Sequence, residues 1–342
     1  MIAHELIETE ALSAWLDQHD VGSGPLAGLR ALPGGTQNFL LEFSRAGRSY
    51  VLRRPGVRAG EGVNAAILRE AAVLDYLSDT GVPHPRLVAV CHDLDVLGVN
   101  FFVMERVPGF SVLALDESAD RLTPAGQHVL GLAVVDALVG LHTLTPDPAR
   151  FPSRARPDGW LSRQVTRWAQ QLTSYEQYSG WPGADSLGAE RRAAALEEHL
   201  PGPSRSAVIH GDFHLGNILA SPEHPDVAAI VDWELSTIGD PLVDLGHLLA
   251  SWPQGEPASP FFRSHLSGLP DRVELVDRYS LMSGSNMRDV DWYEAFAAYR
   301  LAILLEGTHA RACAGQASRD VGDSMHTTAQ FLMARSEQLI PS

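Results

Sequence analysis

The 342-residue chain contains no lysine: all 26 of its basic residues are arginine. Any permanent side-chain cation is therefore a guanidinium, which is planar and binds phosphate or carboxylate in bidentate fashion. Cysteine is nearly absent too. Cys91 and Cys313 are the only two and lie far apart, which excludes a disulfide framework and a C-x-x-C metal site; both are expected to be small buried hydrophobes. Positive charge is scarce overall. A formal net charge of −16 argues against nucleic acid as a main partner, because phosphate-backbone binding relies on a basic surface. Met1 to Glu8 carries acids where a secretory leader carries bases and an apolar core, and no uninterrupted apolar stretch approaches membrane-span length. A cytoplasmic protein with no membrane partner is expected. Internal repeats and low-complexity segments are also missing.

What is present is ordinary globular composition, 45% hydrophobic and 20% charged, with no sign of disorder. The acidic balance would suit a cationic substrate, but it serves solubility equally well. The informative stretch is His210-Gly211-Asp212-Phe213-His214-Leu215-Gly216-Asn217, followed by Ile230-Val231-Asp232-Trp233-Glu234. Asn217 follows Asp212 by five residues, and Asp232 follows it by twenty, at the end of an apolar run. These are the polar groups that phosphoryl transfer needs. Asp212 can orient and deprotonate an attacking hydroxyl, while the Asn217 side-chain oxygen and the Asp232 carboxylate can hold Mg²⁺. Short apolar segments at 207–209, 218–220 and 227–231 place Asn217 and Asp232 near neighbouring strand ends.

Two other readings of the same residues exist. His210, Asp212 and His214, with His224 or Asp232, could hold the Zn²⁺ of a hydrolase, since imidazole and carboxylate are ordinary zinc ligands; that leaves Asn217 without a role. A strand-turn-strand whose polar residues only satisfy turn backbone leaves the features upstream unexplained.

The catalytic stretch resembles that of the aminoglycoside phosphotransferase and choline kinase superfamily, whose fold is similar to that of protein kinases. The longer string from Asp232 through Gly239-Asp240-Pro241 to Asp244-Leu245 is similar to one branch, bacterial phosphotransferases akin to the kinase-like domain associated with acyl-CoA dehydrogenases. The resemblance runs from about Gly34 to Tyr299. It implies an α+β, bilobal protein-kinase-like fold: a small antiparallel-sheet N-lobe, residues 1–106, for nucleotide phosphate binding, and a larger mainly helical C-lobe, residues 107–342, with the catalytic loop, metal site and acceptor pocket. The hinge falls at about 104–109.

The implied function is transfer of the γ-phosphoryl group of ATP or GTP, with Mg²⁺, to a hydroxyl of a small molecule. The implied roles fall on particular residues. Asp212 is the catalytic carboxylate, and Asn217 and Asp232 are the metal ligands. His210 and Asp244 are support residues, Asp244 accepting hydrogen bonds from the backbone around His210 and Gly211. Arg53 stands where the family places a phosphate-contacting Lys, with Glu70 as its ion-pair partner, or Arg54 takes that part if the register slips by one. Gly34, Gly35 and Thr36 form a turn over the phosphates, or a plain hairpin turn. Glu105 and Val107 offer backbone groups to the adenine. Trp233, Glu234, Asp240, Trp292, Tyr293 and Arg300 are candidates for the acceptor pocket, Arg300 for an anionic group and Asp240 equally as a helix cap. A nucleotide-binding pseudokinase remains open, because the usual Lys is replaced.

The elements follow from pattern. Helices are predicted at Glu5 to His19, Ala65 to Leu77, from Thr123-Pro124, at Leu161 to Tyr178, Leu187 to Leu200, from Asp240-Pro241, at Arg272 to Leu281 and at Asp291 to Ala312. Strands are predicted at Phe39 to Phe43, Ser49 to Arg53, Arg86 to Cys91 and Val99 to Val107. Trp168, Tyr175 and Trp181 are core by default, with pocket lining as the alternative.

Overall fold

In the computed structural model, which describes residues 8–32, 38–56, 61–113, 122–152, 159–202, 204–253 and 266–341, Ala46 and Gly47 both take positive φ, 50° and 75°. That pairing is what a tight two-residue hairpin turn requires. It joins β2 (Asn38–Arg45) to β3 (Arg48–Pro55) in register from Asn38↔Pro55 to Arg45↔Arg48. With β1 (Ala27–Leu32), β4 (Leu87–Cys91) and β5 (Phe101–Glu105) they form an antiparallel sheet of order β1-β2-β3-β5-β4. Gly34, Gly35 and Thr36, expected over the phosphates, lie outside the described residues.

One face of the sheet is covered by α1 (Thr9–Gln18), with Leu12, Trp15 and Leu16 packed against Leu41, Phe43, Leu52, Phe101 and Val103. Burying each such side chain contributes roughly 1.5–3 kcal/mol. Arg45, at the end of β2, is buried; it donates to the Gly24 carbonyl at 2.9 Å and pairs with Asp17 of α1, fixing the helix to the hairpin. Helix α2 (Glu61–Leu77) buries Ile67, Ala71, Val73, Leu74 and Leu77, and the short α3 (Leu94–Leu97) precedes β5.

By internal contacts this first unit comprises Met1–Gly109, Asp147–Ser153 and Ala228–Ser236. The last segment differs from the expected division near residue 106, which put Asp232 with the C-terminal part. The physical reason is local. Ile230, in β9 (Val227–Ile230), donates its N–H to the Pro83 carbonyl at 2.9 Å, and the turn Trp233–Leu235 packs on α2.

The second unit, Phe110–Pro146, Arg154–Val227 and Thr237–Ser342, is mainly helical. β6 (Phe110–Ser111) pairs with β8 (Ile218–Ala220), and β7 (Ala207–Ile209) pairs with β10 (Thr237–Gly239). α4 (Pro124–His142) starts as predicted: the Thr123 hydroxyl accepts the Gly126 N–H at 3.1 Å, with Pro124 in the first turn. By length and composition alone this 19-residue helix could cross a membrane, the one such helix among the described residues, although Gln127, His128 and Asp136 interrupt its apolar run. Its Leu130, Val134, Leu138 and Leu141 are nevertheless buried in the protein core. Helices α5 (Trp160–Thr173), α6 (Ala189–Glu198), α7 (Leu242–Ser251), α8 (Arg272–Ser283), α9 (Val290–Cys313) and α10 (Arg319–Leu339) follow. α9 is the central one, burying Trp292, Phe296, Tyr299 and Ile303. A Cβ at Gly246 would sit 2.4 Å from the Tyr293 carbonyl oxygen, so α7 and α9 touch only because residue 246 has no side chain.

Candidate functional site

In the first unit the register of β3 decides which arginine matters. Arg53 points its guanidinium at Glu70 of α2, with Nε 2.7 Å from Oε2. Its terminal nitrogen reaches Asp232 at 2.6 Å and Glu234 at 3.2 Å, and Asn38 donates to Glu234 at 2.8 Å. Arg54 is buried against the Phe39 ring, 4.8 Å from its centroid, and donates to the Pro55 carbonyl. One guanidinium thus faces three carboxylates. Burial acts to lower the Arg53 pKa, but Glu70, Asp232 and Glu234 outweigh it and hold the group above its ordinary value. Burial, joined by the charges of Asp232 and Glu234, pushes Glu70 up to about 8 against the opposing pull of Arg53.

Asp232 has φ 69° and ψ 64°, a left-handed conformation unusual for a residue with a side chain. Such strain costs about 1–3 kcal/mol and tends to be kept where a side chain must be aimed. The aim is fixed by Trp233, fully buried, whose indole N–H donates to the Ile230 carbonyl at 2.9 Å. Glu105 uses its N–H on the Arg86 carbonyl at 2.9 Å, which removes that group from the expected adenine contact; the Val107 carbonyl accepts from the Arg106 side chain at 3.5 Å.

In the second unit the loop after β7 is held from below. Gly211 takes φ 84°, and the His210 and Gly211 N–H groups donate to the two oxygens of Asp244 at 2.6 and 2.8 Å. Asp244 is fully buried in α7. His142 also donates to it, at 3.2 Å, and the other His142 nitrogen accepts from the Tyr279 hydroxyl at 2.7 Å. Burial alone would raise the Asp244 carboxyl, but the hydrogen bonds from His142 and His210 keep it below the usual range.

Asp212 stands on that loop, about a quarter exposed, with His247 Nε2 at 3.3 Å, His214 Nε2 at 3.5 Å and Arg300 at 3.6 Å. Burial would raise its pKa; the His214 hydrogen bond and the charge of Arg300 hold it well below the usual carboxylate range. Asp212 is therefore ionised. His247, fully buried, is pushed down to about 3 by that burial despite the attraction of Asp212, so it is neutral at physiological pH. A short turn, Leu215–Asn217, then positions Asn217: its side-chain nitrogen donates to the Asp212 carbonyl at 2.9 Å. With the nitrogen so engaged, Oδ1 is the end available to a cation.

Several expectations need correction. His210 does not join a metal-ligating group with Asp212 and His214, because its Nδ1 accepts the Asp212 N–H at 3.2 Å and its ring is fully buried. The trio that converges is Asp212, His214 and His247. Trp233, Trp292 and Tyr293 are core rather than pocket walls. Trp292 stacks on Phe296 and donates to the Leu196 carbonyl at 2.9 Å, and the Tyr293 hydroxyl donates to Asp240 at 2.7 Å. Asp240, buried, accepts the Leu242 N–H at 3.0 Å and so caps α7. Of the acceptor candidates in this unit, Arg300 alone lies against Asp212; it packs 5.2 Å over the Trp168 ring. Tyr175 is buried and Trp181 donates to Glu306. Sequence reasoning missed His247 and His142. Asp244 and His247 are three residues apart on an apolar helix, the spacing of one face, and that was the available signal.

A Ralstonia eutropha structure provisionally described as an aminoglycoside phosphotransferase is similar at 28% identity and TM-score 0.78, covering 97% of this chain and 99% of that one. The GDP complex of aminoglycoside 2'-phosphotransferase-IIIa shares the fold, at 15% identity and TM-score 0.65 over 96% of this chain and 99% of that one. Among curated proteins, acyl-CoA dehydrogenase family member 11 of Homo sapiens is 31% identical over 92% of this chain and 40% of its own length. Family member 10 of Mus musculus is 31% identical over 83% of this chain and 26% of its own length. The chain thus spans less than half of those relatives. The sheet-plus-helix architecture is that of the kinase-like aminoglycoside phosphotransferases. The Phosphotransferase enzyme family matches residues 28–275, and the chain belongs to it.

Proposed function

We propose that this phosphotransferase moves the γ-phosphoryl group of ATP or GTP, with Mg²⁺, to a hydroxyl of a small molecule. The observation that carries the reading is Asp212: an ionised, partly exposed carboxylate on a loop clamped by a buried Asp244. In the first unit three carboxylates share one guanidinium around Arg53, so Asp232 has an oxygen to offer a cation; in the second, Asn217 keeps a side-chain oxygen available. Asp232 and Asn217, each on its own unit, are the residues we propose as Mg²⁺ ligands, an ion that would neutralise charge on the phosphates.

The protein's own groups do the rest. Asp212 accepts a hydrogen bond from the acceptor hydroxyl, orients it, and takes its proton as the bond to phosphorus forms. Neutral His247 and the backbone clamp on Asp244 keep that carboxylate in place. Arg53, held by Glu70, grips phosphate in the role that lysine fills in related kinases. Transfer through a loose transition state needs alignment and charge more than a strong base, which suits a low-pKa Asp. Arg300, buried beside Asp212, suits an acceptor with an anionic group, such as a hydroxyacyl compound.

Incubation with nucleotide, Mg²⁺ and a panel of hydroxyl compounds, hydroxyacyl compounds and aminoglycosides included, tests the reading; transfer to any of them also excludes a pseudokinase. A second reading has one observation behind it. The ligand atoms of Asp212, His214 and His247 lie within 4.8 Å of one another, as zinc ligands could. A hydrolase that requires zinc but no nucleotide would be its signature.

A further inference from the structure

Away from Asp212, helices α9 and α10 bring five ligating side chains of the second unit together. Glu306, fully buried, accepts from Trp181 Nε1 at 2.7 Å and from His309 Nδ1 at 2.8 Å on one oxygen, and from His326 Nδ1 at 2.7 Å on the other. A carboxylate only accepts, so both histidines carry their proton on Nδ1 and present the Nε2 lone pair. His309 Nε2 lies 3.4 Å from Cys313 Sγ and 3.8 Å from Asp323 Oδ1. Donors sharing one tetrahedral zinc are separated by about 3.4–3.6 Å, given Zn–N and Zn–S bonds of about 2.0 and 2.3 Å. The His326 ring lies beside that of His309, centroids 4.3 Å apart and tilted by 33°.

We propose that His309 Nε2, Cys313 Sγ, Asp323 Oδ1 and His326 Nε2 bind Zn²⁺, with Glu306 as the positioning residue that fixes both imidazoles. The spacing supports this: His309 and Cys313 are four residues apart on α9, and Asp323 and His326 are three apart on α10, so each pair shares a helix face. A carboxylate on the far nitrogen of a ligating histidine is the common second layer of zinc sites. Binding replaces the Cys313 S–H bond with a zinc–thiolate bond and releases that proton to solvent. Arg319, exposed, holds Asp323 at 3.1 Å and approaches Cys313 Sγ at 3.6 Å, so it is the group the metal displaces. Four protein ligands make a closed, structural site that clamps α10 onto α9.

Cobalt is the probe, because Co²⁺ takes zinc positions and gives a near-ultraviolet charge-transfer band when bound to thiolate. The full chain, freed of metal by chelator, should develop that band to saturation at one equivalent, and Zn²⁺ should abolish it. Cys313→Ser should lose the band completely; the Asp212, His214, His247 trio contains no cysteine and cannot produce it. Glu306→Gln should weaken binding roughly 10–100-fold. His326→Gln, at a partly exposed position, should weaken it at least tenfold. No band in the unaltered protein, a band that survives in Cys313→Ser, or unchanged affinity in His326→Gln overturns the proposal.

Discussion

Arg53 Nε lies 2.7 Å from Glu70 Oε2, and both side chains are almost wholly buried. In a chain without lysine this pair is the one we propose for phosphate binding, and one guanidinium serves Glu70, Asp232 and Glu234 together. Replacing Arg53 by Met leaves a buried acid without its partner, which typically costs about 3–5 kcal/mol. A double variant Arg53→Met/Glu70→Leu should recover much of that loss in a denaturant titration while remaining inactive. Arg53→Lys should fold but lose nucleotide affinity, since an ammonium cannot reach Glu70 and Asp232 through separate nitrogens as the guanidinium does.

Glu70 gives a pH signature. Its pKa stands at 4.5 unfolded and about 8 folded, so the folded state binds more protons between those values. Its contribution to stability is fully present below about 4.5 and is lost as pH rises through 8. Thermal melts from pH 6 to 9 should fall more steeply for the unaltered protein than for Glu70→Gln. Parallel curves would show that Glu70 ionises without regard to folding.

His247 gives the opposite signature on the acid side. Unfolded it takes a proton near 6.5, folded only near 3, so the unfolded state binds more protons in between and acid favours unfolding. The expected result is a stability decline from pH 6.5 downward that flattens in His247→Gln, read by melts at pH 4 to 7. His247→Gln should also lower turnover more than it changes nucleotide affinity.

Asp244 holds the loop that carries Asp212 through two backbone N–H groups, and His142 also donates to it. Asp244→Ala removes all three partners from a fully buried site, and a loss of at least 3 kcal/mol is expected, on the scale of a broken buried charged network. Asp240→Ala, which removes a helix cap and the Tyr293 partner, should cost less, about 1–2 kcal/mol. Chemical denaturation of the two variants checks the ranking.

Much of this was legible because it is local. The Thr123-Pro124 helix start and the Asp212–Asn217 spacing are short-range patterns with direct physical causes. Helix α10 was not legible. Its buried positions include Gly322, Thr328, Ala329 and Ser336, small or polar residues that carry no apolar period; Ser336 is satisfied by the Ala295 carbonyl at 2.8 Å. Cys313 was expected to be a buried hydrophobe and instead is only partly buried, beside His309 one turn earlier on the same helix. The grouping of Asp232 with the N-terminal sheet is non-local, arising from Arg53 and Pro83 far back in the chain.

The central claim, that Asp212 serves phosphoryl transfer, is tested most directly by following ³¹P resonances of nucleotide, Mg²⁺ and the hydroxyl panel with the unaltered chain and with Asp212→Asn. A phosphomonoester resonance should grow as nucleoside diphosphate appears, and it should slow by about 10²–10⁴-fold in Asp212→Asn with nucleotide affinity retained. Equal rates in the two proteins, or no phosphomonoester with any acceptor in the panel, would contradict it.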